Sequence, residues 1–236
     1  MKTRLLSIVL AVGVLQGQSL LHAQAGAAGQ ASPWFGRIAA LGAFYHSSAT
    51  IATSGQLLPG ATATVSNNQT ATFDIAYDFT RNLFAMLMVG VPPKPTVTGE
   101  GTVTSLGALG RVRYGPAILS AGYRIPTRGA LRPYVATGAA YAIIVKNHDA
   151  TVSQLDVHNN WGFVLQAGAE YRLNKAWDLF ADFKQLWLAV NADGLLAGGV
   201  PVKARVTLNP SLVSAGIKFR FRQSAGPVVR SRGGRS

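Results

Sequence analysis

Residues 72–91, TFDIAYDFTRNLFAMLMVGV, constrain this chain more than any other stretch. Phe73, Ile75, Tyr77 and Phe79 fall on one face of an extended segment, and Asp74, Ala76 and Asp78 on the other. That period of two marks a strand with one apolar and one polar face. Thr80-Arg81-Asn82 offers a tight turn and a second extended run follows to Pro92, so the stretch reads as a β-hairpin. The regular face is the aromatic one, and no helical pattern nearby could cover it. A strand whose apolar face needs no protein partner suits a lipid-facing barrel.

The N-terminal residues 1–25 have a separate logic. Lys2 and Arg4 precede an apolar run from Leu5 to Leu15, and Ala23-Gln24-Ala25 is a small-x-small cleavage site. This is the pattern of a secretory signal peptide, cut near Ala23 or Ala25. Its apolar run is too short to span a bilayer, and no later run approaches the roughly 18 apolar residues of a membrane helix. The chain has no cysteine, so export brings no disulfide framework. An exported chain of alternating strands is either a soluble periplasmic β-protein or an outer-membrane barrel.

Taken in order, the mature chain offers eight strands. They are 34–45, the hairpin pair within 72–91, 102–123 (interrupted at Gly115-Pro116), 131–145, 161–173, 177–190 and 206–221. Pro92, Pro93 and Pro95 end the third, because proline cannot donate to a ladder. Between the strands lie long polar loops at 46–69, 146–160 and 191–203, a medium one at 92–101, and short turns at 80–82, 125–131 and 174–176. Long loops on one side and tight turns on the other are the outer-membrane arrangement. The expected fold is all-β: an eight-stranded antiparallel transmembrane β-barrel over 26–221, with short periplasmic turns and longer extracellular loops. A closed barrel satisfies every backbone group within lipid.

Several stretches carry a resemblance to a known family. They are Asn67-Asn68-Gln69-Thr70, Tyr77 to Leu83, Val91-Pro92, Gly115-Pro116-Ala117, Leu131 to Tyr141, Gln166 to Tyr171, Leu208-Asn209-Pro210 and Gly216 to Phe221. In order and spacing, over about residues 33–221, the chain resembles the OmpW family of small outer-membrane barrels. The resemblance implies eight strands, a narrow hydrophobic lumen, and passage of small hydrophobic molecules across the outer membrane of a Gram-negative bacterium. It also implies a terminal aromatic that the barrel assembly machinery reads. Here 15 residues follow Phe221. The segment 222–236, with Arg222, Arg230, Arg232 and Arg235, reads as a solvated basic tail.

Pointing the charges inward assigns the faces. Asp74, Asp78, Arg124, Glu170, Arg172, Asp178, Asp182, Lys184, Lys218 and Arg220 then lie toward the short-turn ends. Of these, Asp74, Asp78, Arg124, Glu170, Arg172, Asp182, Lys184 and Arg220 form an expected charged plug in the periplasmic half. Toward the long loops the inward residues turn apolar, and Phe84, Met86, Met88, Ile144, Leu186, Leu188 and Leu212 are the expected lining. A narrow barrel plugged below and apolar above accepts a hydrocarbon-like molecule and must release it sideways. Pro92, Pro93 and Pro116 weaken the ladder between two strands and mark the expected lateral gap.

Other chemistry is weakly encoded. His46, His148, Asp149, Asp156 and His158 have no diagnostic metal spacing and read as polar loop residues. No G-x-S-x-G and no P-loop is present, so neither an enzyme nor a cofactor is expected. The formal net charge of +13 is spread through strands and tail, and export argues against nucleic acid. Lys94, Lys146 and Lys203 instead suit phosphates of outer-membrane lipid and lipopolysaccharide. The alternative to a channel is a structural or interaction barrel that acts through its extracellular loops, without transport.

Overall fold

Alternation dominates the chain, and the computed structural model, which describes residues 31–196 and 198–222, is built almost wholly from strands. They are β1 (Ala31–Phe44), β2 (Ser48–Thr53), β3 (Gln56–Leu57), β4 (Ala61–Val65), β5 (Asn68–Asp78), β6 (Leu83–Gly90) and β7 (Thr96–Gly101). After a 3₁₀ turn at Thr104–Leu106 come β8 (Ala108–Arg124), β9 (Leu131–Asp149), β10 (Ser153–Val157) and β11 (Asn160–Arg172). β12 (Trp177–Leu196), β13 (Val200–Thr207) and β14 (Ser211–Arg222) complete the chain. The signal peptide expected over 1–25 and the tail beyond Arg222 lie outside the described residues.

Eight strands close a barrel in the order β11-β9-β8-β6-β5-β1-β14-β12, and β12 pairs with β11 to complete it. Each wall strand pairs antiparallel with its neighbours in the ring, so no edge is left for lipid to meet. The outer surface carries Phe73, Leu87, Leu119, Val135, Leu165, Phe183 and Ile217, all exposed. So extended an apolar surface is stable only against hydrocarbon. Aromatic pairs border it at both ends: Trp34–Tyr77 (5.0 Å between centroids) toward the short turns, Tyr141–Trp161 (4.6 Å) toward the long connections. Among the described residues no helix is long and apolar enough to cross a membrane.

The long connections differ from the expected loops. Segments 46–69, 92–101, 146–160 and 191–203 fold into β2, β3, β4, β7, β10 and β13 and into extensions of β9 and β12. β4 pairs with β7, β7 with β8, β10 with β12, and β13 with both β12 and β2. The period was present under a polar composition. Ala61, Ala63 and Val65 are buried while Thr62 and Thr64 between them are less so; Val202 and Val206 are buried while Lys203 and Arg205 are exposed. Threonine and the β-branched residues favour such half-buried strands. Two boundaries also shift. β8 runs unbroken through Gly115-Pro116, with a register shift at Arg113/Tyr114, and Val206-Thr207 end β13, leaving β14 to start at Ser211.

Candidate functional site

The barrel interior is layered, and each layer follows from which residues take the inward parity at that height. Nearest the short turns is a network of charge. Arg37 of β1 donates to the Asp182 carboxylate and, through Nη1, to the Tyr134 hydroxyl (2.9 Å). Its Nε stands 3.0 Å from Asp74 Oδ2 in a contact that is ionic rather than hydrogen-bonded. The guanidinium also lies 3.5 Å from the centre of the Phe180 ring. Asp182 further accepts from Lys184 Nζ (2.5 Å), Tyr134 (2.7 Å), Gln166 Nε2 (2.9 Å) and Ser214. A second node forms below it. Glu170 accepts from Arg124 Nε (3.2 Å) and Lys218 Nζ (2.9 Å) and pairs with Arg132 (3.2 Å). Asp178 takes Arg132 (2.5 Å) and Arg220 (2.7 Å), and Asp78 takes Arg124 Nη1 (2.6 Å).

Phe35 and Phe84 fill the space between these groups. Lys218 Nζ lies 3.9 Å from the Phe35 ring centre, and the Arg124 guanidinium 4.4 Å from that of Phe84. Most of the members are fully buried, including Arg37, Asp74, Arg124, Glu170, Asp178, Lys184 and Lys218. Charges so deep are tolerable only when mutually paired. Five of the chain's nine acids stand in this layer: Asp74, Asp78, Glu170, Asp178 and Asp182. Together with the aromatic rings they leave the lower lumen filled with side chains.

Two expected positions need correction. Phe84 belongs to this charged layer and not to the apolar lining above it. β6 rises from the 79–82 turn, so its first inward residue is the lowest, directly opposite Asp78. Arg172 has the inward parity but stands at the rim, exposed, and makes no ion pair within 4 Å among the described residues. It shares an open basin at the periplasmic mouth with Arg81, Arg124, Arg132, Arg220 and Asp78. Sequence reasoning missed Arg37, Arg132, Tyr134, Gln166 and Ser214. Arg37 is the lone charge of its strand and pairs in register with Asp74, so the rule that turned the other charges inward would also have found it.

Above the charges the lumen is apolar. Leu41, Ala43, Met88, Ile118, Ala140, Val164, Leu186 and Leu212 form one buried layer, with Met86 packed below it on Phe84, Tyr134 and Phe35. Higher still, Tyr45 and Tyr114 meet phenol to phenol in a hydrogen bond across the interior, their rings edge to face at 6.5 Å. Beyond this pair is a cavity of about 100 Å³ whose wall is almost entirely aliphatic, including Val65, Val112, Ile144, Val157, Val190 and Leu208. Leu188 packs in the same cluster and Ile144 is half-buried against it. The strands that replace the expected loops supply much of this wall.

A smaller cavity of about 30 Å³ lies beneath Tyr114 and reaches from Met88, Leu186 and Leu212 to the wall at Gly90, Val91, Pro93 and Pro116. The wall is irregular there. The β6–β8 ladder runs from Leu83–Tyr123 to Val89–Ala117 and ends. Val91 N–H turns the other way, to Ala71 O (2.9 Å). β7 resumes the pairing only at Thr96–Arg111, with Val112 N–H reaching Pro95 O (3.3 Å). Pro92 packs over Gly115, where a side chain would sit 3.4 Å from its ring. Proline at these positions has no N–H to offer, so above Val89–Ala117 the seam beside β8 is held by packing and not by a ladder.

Comparison with known proteins places this geometry among relatives. A model of the OmpW family matches residues 36–221. The dibenzothiophene metabolism operon protein PahQ of Pseudomonas aeruginosa is 35% identical over 190 residues, covering 80% of this chain and 89% of the relative. The outer membrane protein AlkL of Ectopseudomonas oleovorans is 34% identical over 167 residues, covering 71% and 72%. The structure of AlkL in lipid bilayers matches with a TM-score of 0.65 at 29% identity, over 89% of this chain and 100% of that one. The crystal structure of OprG from Pseudomonas aeruginosa shares the fold, with a TM-score of 0.76 at 20% identity over 83% of this chain and 99% of the other.

Proposed function

The chain belongs to the OmpW family and is a barrel of the Gram-negative outer membrane, and from that premise we propose that it passes small hydrophobic molecules inward and releases them sideways into the bilayer. The observation that carries this reading is the stacking of two apolar cavities over the charged layer. The upper is aliphatic, the Tyr45–Tyr114 pair divides it from the lower, and the lower reaches the β6–β8 seam. A hydrocarbon gains nothing by entering a desolvated ion network, whereas the seam leads from one apolar medium to another. Phe84 drops out of the lining; Met86, Met88, Ile144, Leu186, Leu188 and Leu212 remain. Asp74, Asp78, Arg124, Glu170, Asp182, Lys184 and Arg220, joined by Arg37, Arg132, Asp178 and Lys218, act as the plug. Pro92, Pro93 and Pro116 keep the exit free of ladder hydrogen bonds.

The relatives' names support the substrate class: one protein of a dibenzothiophene metabolism operon suggests flat, apolar aromatic molecules. The upper cavity approaches the roughly 150 Å³ of engineered apolar cavities that hold benzene. A single ring requires its aliphatic wall to yield slightly, and a fused-ring molecule requires Tyr45 and Tyr114 to part. Lipid is the membrane partner, and assembly proceeds through the barrel assembly machinery. A role that depends on loops alone is less favoured, because 46–69 and 146–160 serve as the cavity wall.

The test is uptake of a labelled aromatic hydrocarbon by cells with and without the protein at equal outer-membrane expression. Leu186→Asp places an acid among buried aliphatic side chains and is expected to abolish the difference, while Leu186→Met preserves it. Equal uptake with and without the protein, across several hydrophobic compounds, sinks the transport reading.

A further inference from the structure

The extracellular wall distributes its charges unevenly. On β12 and β13, base faces acid: Lys203 is opposite Asp193 in the ladder (Nζ to Oδ1 3.8 Å), and His158 Nε2 lies 2.9 Å from the same carboxylate. On β8 and β9 the register does the reverse. Arg113 is opposite Lys146, and Arg111 opposite His148. Both pairs face outward, because Val112 and Tyr114, which alternate with the arginines, are buried against the cavity. Like charges directly opposite one another destabilise a ladder, and Arg113–Lys146 is such a pair.

No neighbouring acid relieves them. The Asp149 carboxylate already accepts from Gln154 N–H (2.9 Å) and Leu155 N–H (3.0 Å), and Asp156 leans on Asn147 Nδ2 (3.4 Å). On the far side of Arg111, β7 presents Thr96. Among the described residues none of Arg111, Arg113, Lys146 and His148 has an ion-pair partner within 4 Å. Just below, toward the membrane, the same outward face is greasy. Ile143 and Val145 are exposed, and Tyr141 stacks on Trp161. Ile143 pairs with Gly115, so Arg113–Lys146 is the next outward pair up the wall, about 7 Å higher.

We propose that this outward face of β8–β9 binds the phosphates of a diphosphorylated glycolipid of the outer leaflet, of the lipid A class. The bases stand at headgroup height over a surface made for acyl chains. The guanidinium fork matches a phosphate in two hydrogen bonds, and lysine adds a point charge. The two basic rungs are about 7 Å apart along the strands, and their long, flexible side chains splay far enough to meet two phosphates at the ends of one disaccharide headgroup. A lipid with one phosphate satisfies only one pair. The anion thus supplies the counter-charge that the ladder lacks.

The full mature protein in phosphatidylcholine nanodiscs is titrated with diphosphoryl lipid A, with dephosphorylated lipid A and with phosphatidylglycerol. Wild type is expected to bind diphosphoryl lipid A at least about tenfold more tightly than Arg113→Gln/Lys146→Gln, and the dephosphorylated lipid equally weakly in both. Without lipid A the variant is expected to melt no lower than wild type, since it removes a like-charge pair; with lipid A only wild type shifts upward. Equal binding of lipid A by both proteins overturns the proposal. So does phosphatidylglycerol binding as tightly as lipid A, which assigns the patch to monophosphate lipids in general.

Discussion

Arg37→Met removes the guanidinium that bridges Asp74 and Asp182, and the structure says which carboxylate suffers. Asp182 keeps Lys184, Tyr134, Gln166 and Ser214. Asp74 keeps no ion pair, and its Oδ1 already lacks a hydrogen bond. Stranding a buried charge costs about 3–5 kcal/mol, and methionine retains part of the packing on Phe180. Asp74→Asn is the asymmetric partner. It gives up one ionic contact at 3.0 Å and leaves Arg37 bound to Asp182 and Tyr134, so its expected cost is about 1 kcal/mol. In the double variant no acid is stranded, and stability is expected to return to within about 2 kcal/mol of wild type, a coupling of at least about 2–4 kcal/mol. Urea titration of all four proteins in lipid vesicles, followed by tryptophan fluorescence, measures the cycle. If the two costs simply add, the reasoning is refuted, and Arg37 acts through Asp182 or Phe180 alone.

Four further outcomes follow from positions in the wall and plug. Glu170→Gln leaves Arg124, Arg132 and Lys218 without their shared acid and is expected to cost at least about 3 kcal/mol in the same titration. Rim-exposed Arg172→Gln is expected to stay within about 0.5 kcal/mol of wild type. Cysteines at Gly90 and Pro116 occupy the next rung beyond Val89–Ala117. Their oxidation is expected to slow hydrocarbon uptake and reduction to restore it; unchanged uptake in the oxidised form argues against exit at this seam. Gly216→Ala drives a methyl carbon into the Ile38 carbonyl oxygen, so little folded barrel is expected on unheated SDS gels.

The wall was largely legible because lipid enforces it. The hairpin of residues 72–91 keeps Phe73, Ile75 and Phe79 outside and Asp74 and Ala76 buried, and a slip of one residue would reverse all five. Legibility fell wherever composition hid period. Ala61 to Val65 and Val200 to Val206 alternate small apolar residues with threonine or bases, and beside glycine, serine and asparagine they read as loops. Height along a strand was harder still. Parity gives the side of the wall but not the level: it sends Phe84 to the upper lining, whereas chain direction puts it at the bottom. The Tyr45–Tyr114 contact joins residues far apart in sequence, and only the curvature of the closed sheet brings their rings together across the lumen.

The charged layer also constrains how such a barrel enters a membrane. Arg37 on β1 has its partners on β5, β9 and β12, and Lys218 on β14 has Glu170 on β11. A strand inserted alone would carry these groups unneutralised into hydrocarbon, at about 2.5–3.5 kcal/mol for each. Most of these pairs join neighbouring strands or strands one apart in the ring, so neutralisation accumulates as the sheet assembles, and Arg37–Asp182 alone waits for the first and last strands to meet along β1–β14. Insertion strand by strand is the costly route. A sheet already curled, with its charges turned toward one another, is the cheap one, and because the layer sits in the periplasmic half, its members travel the shortest distance from the water in which the chain arrives.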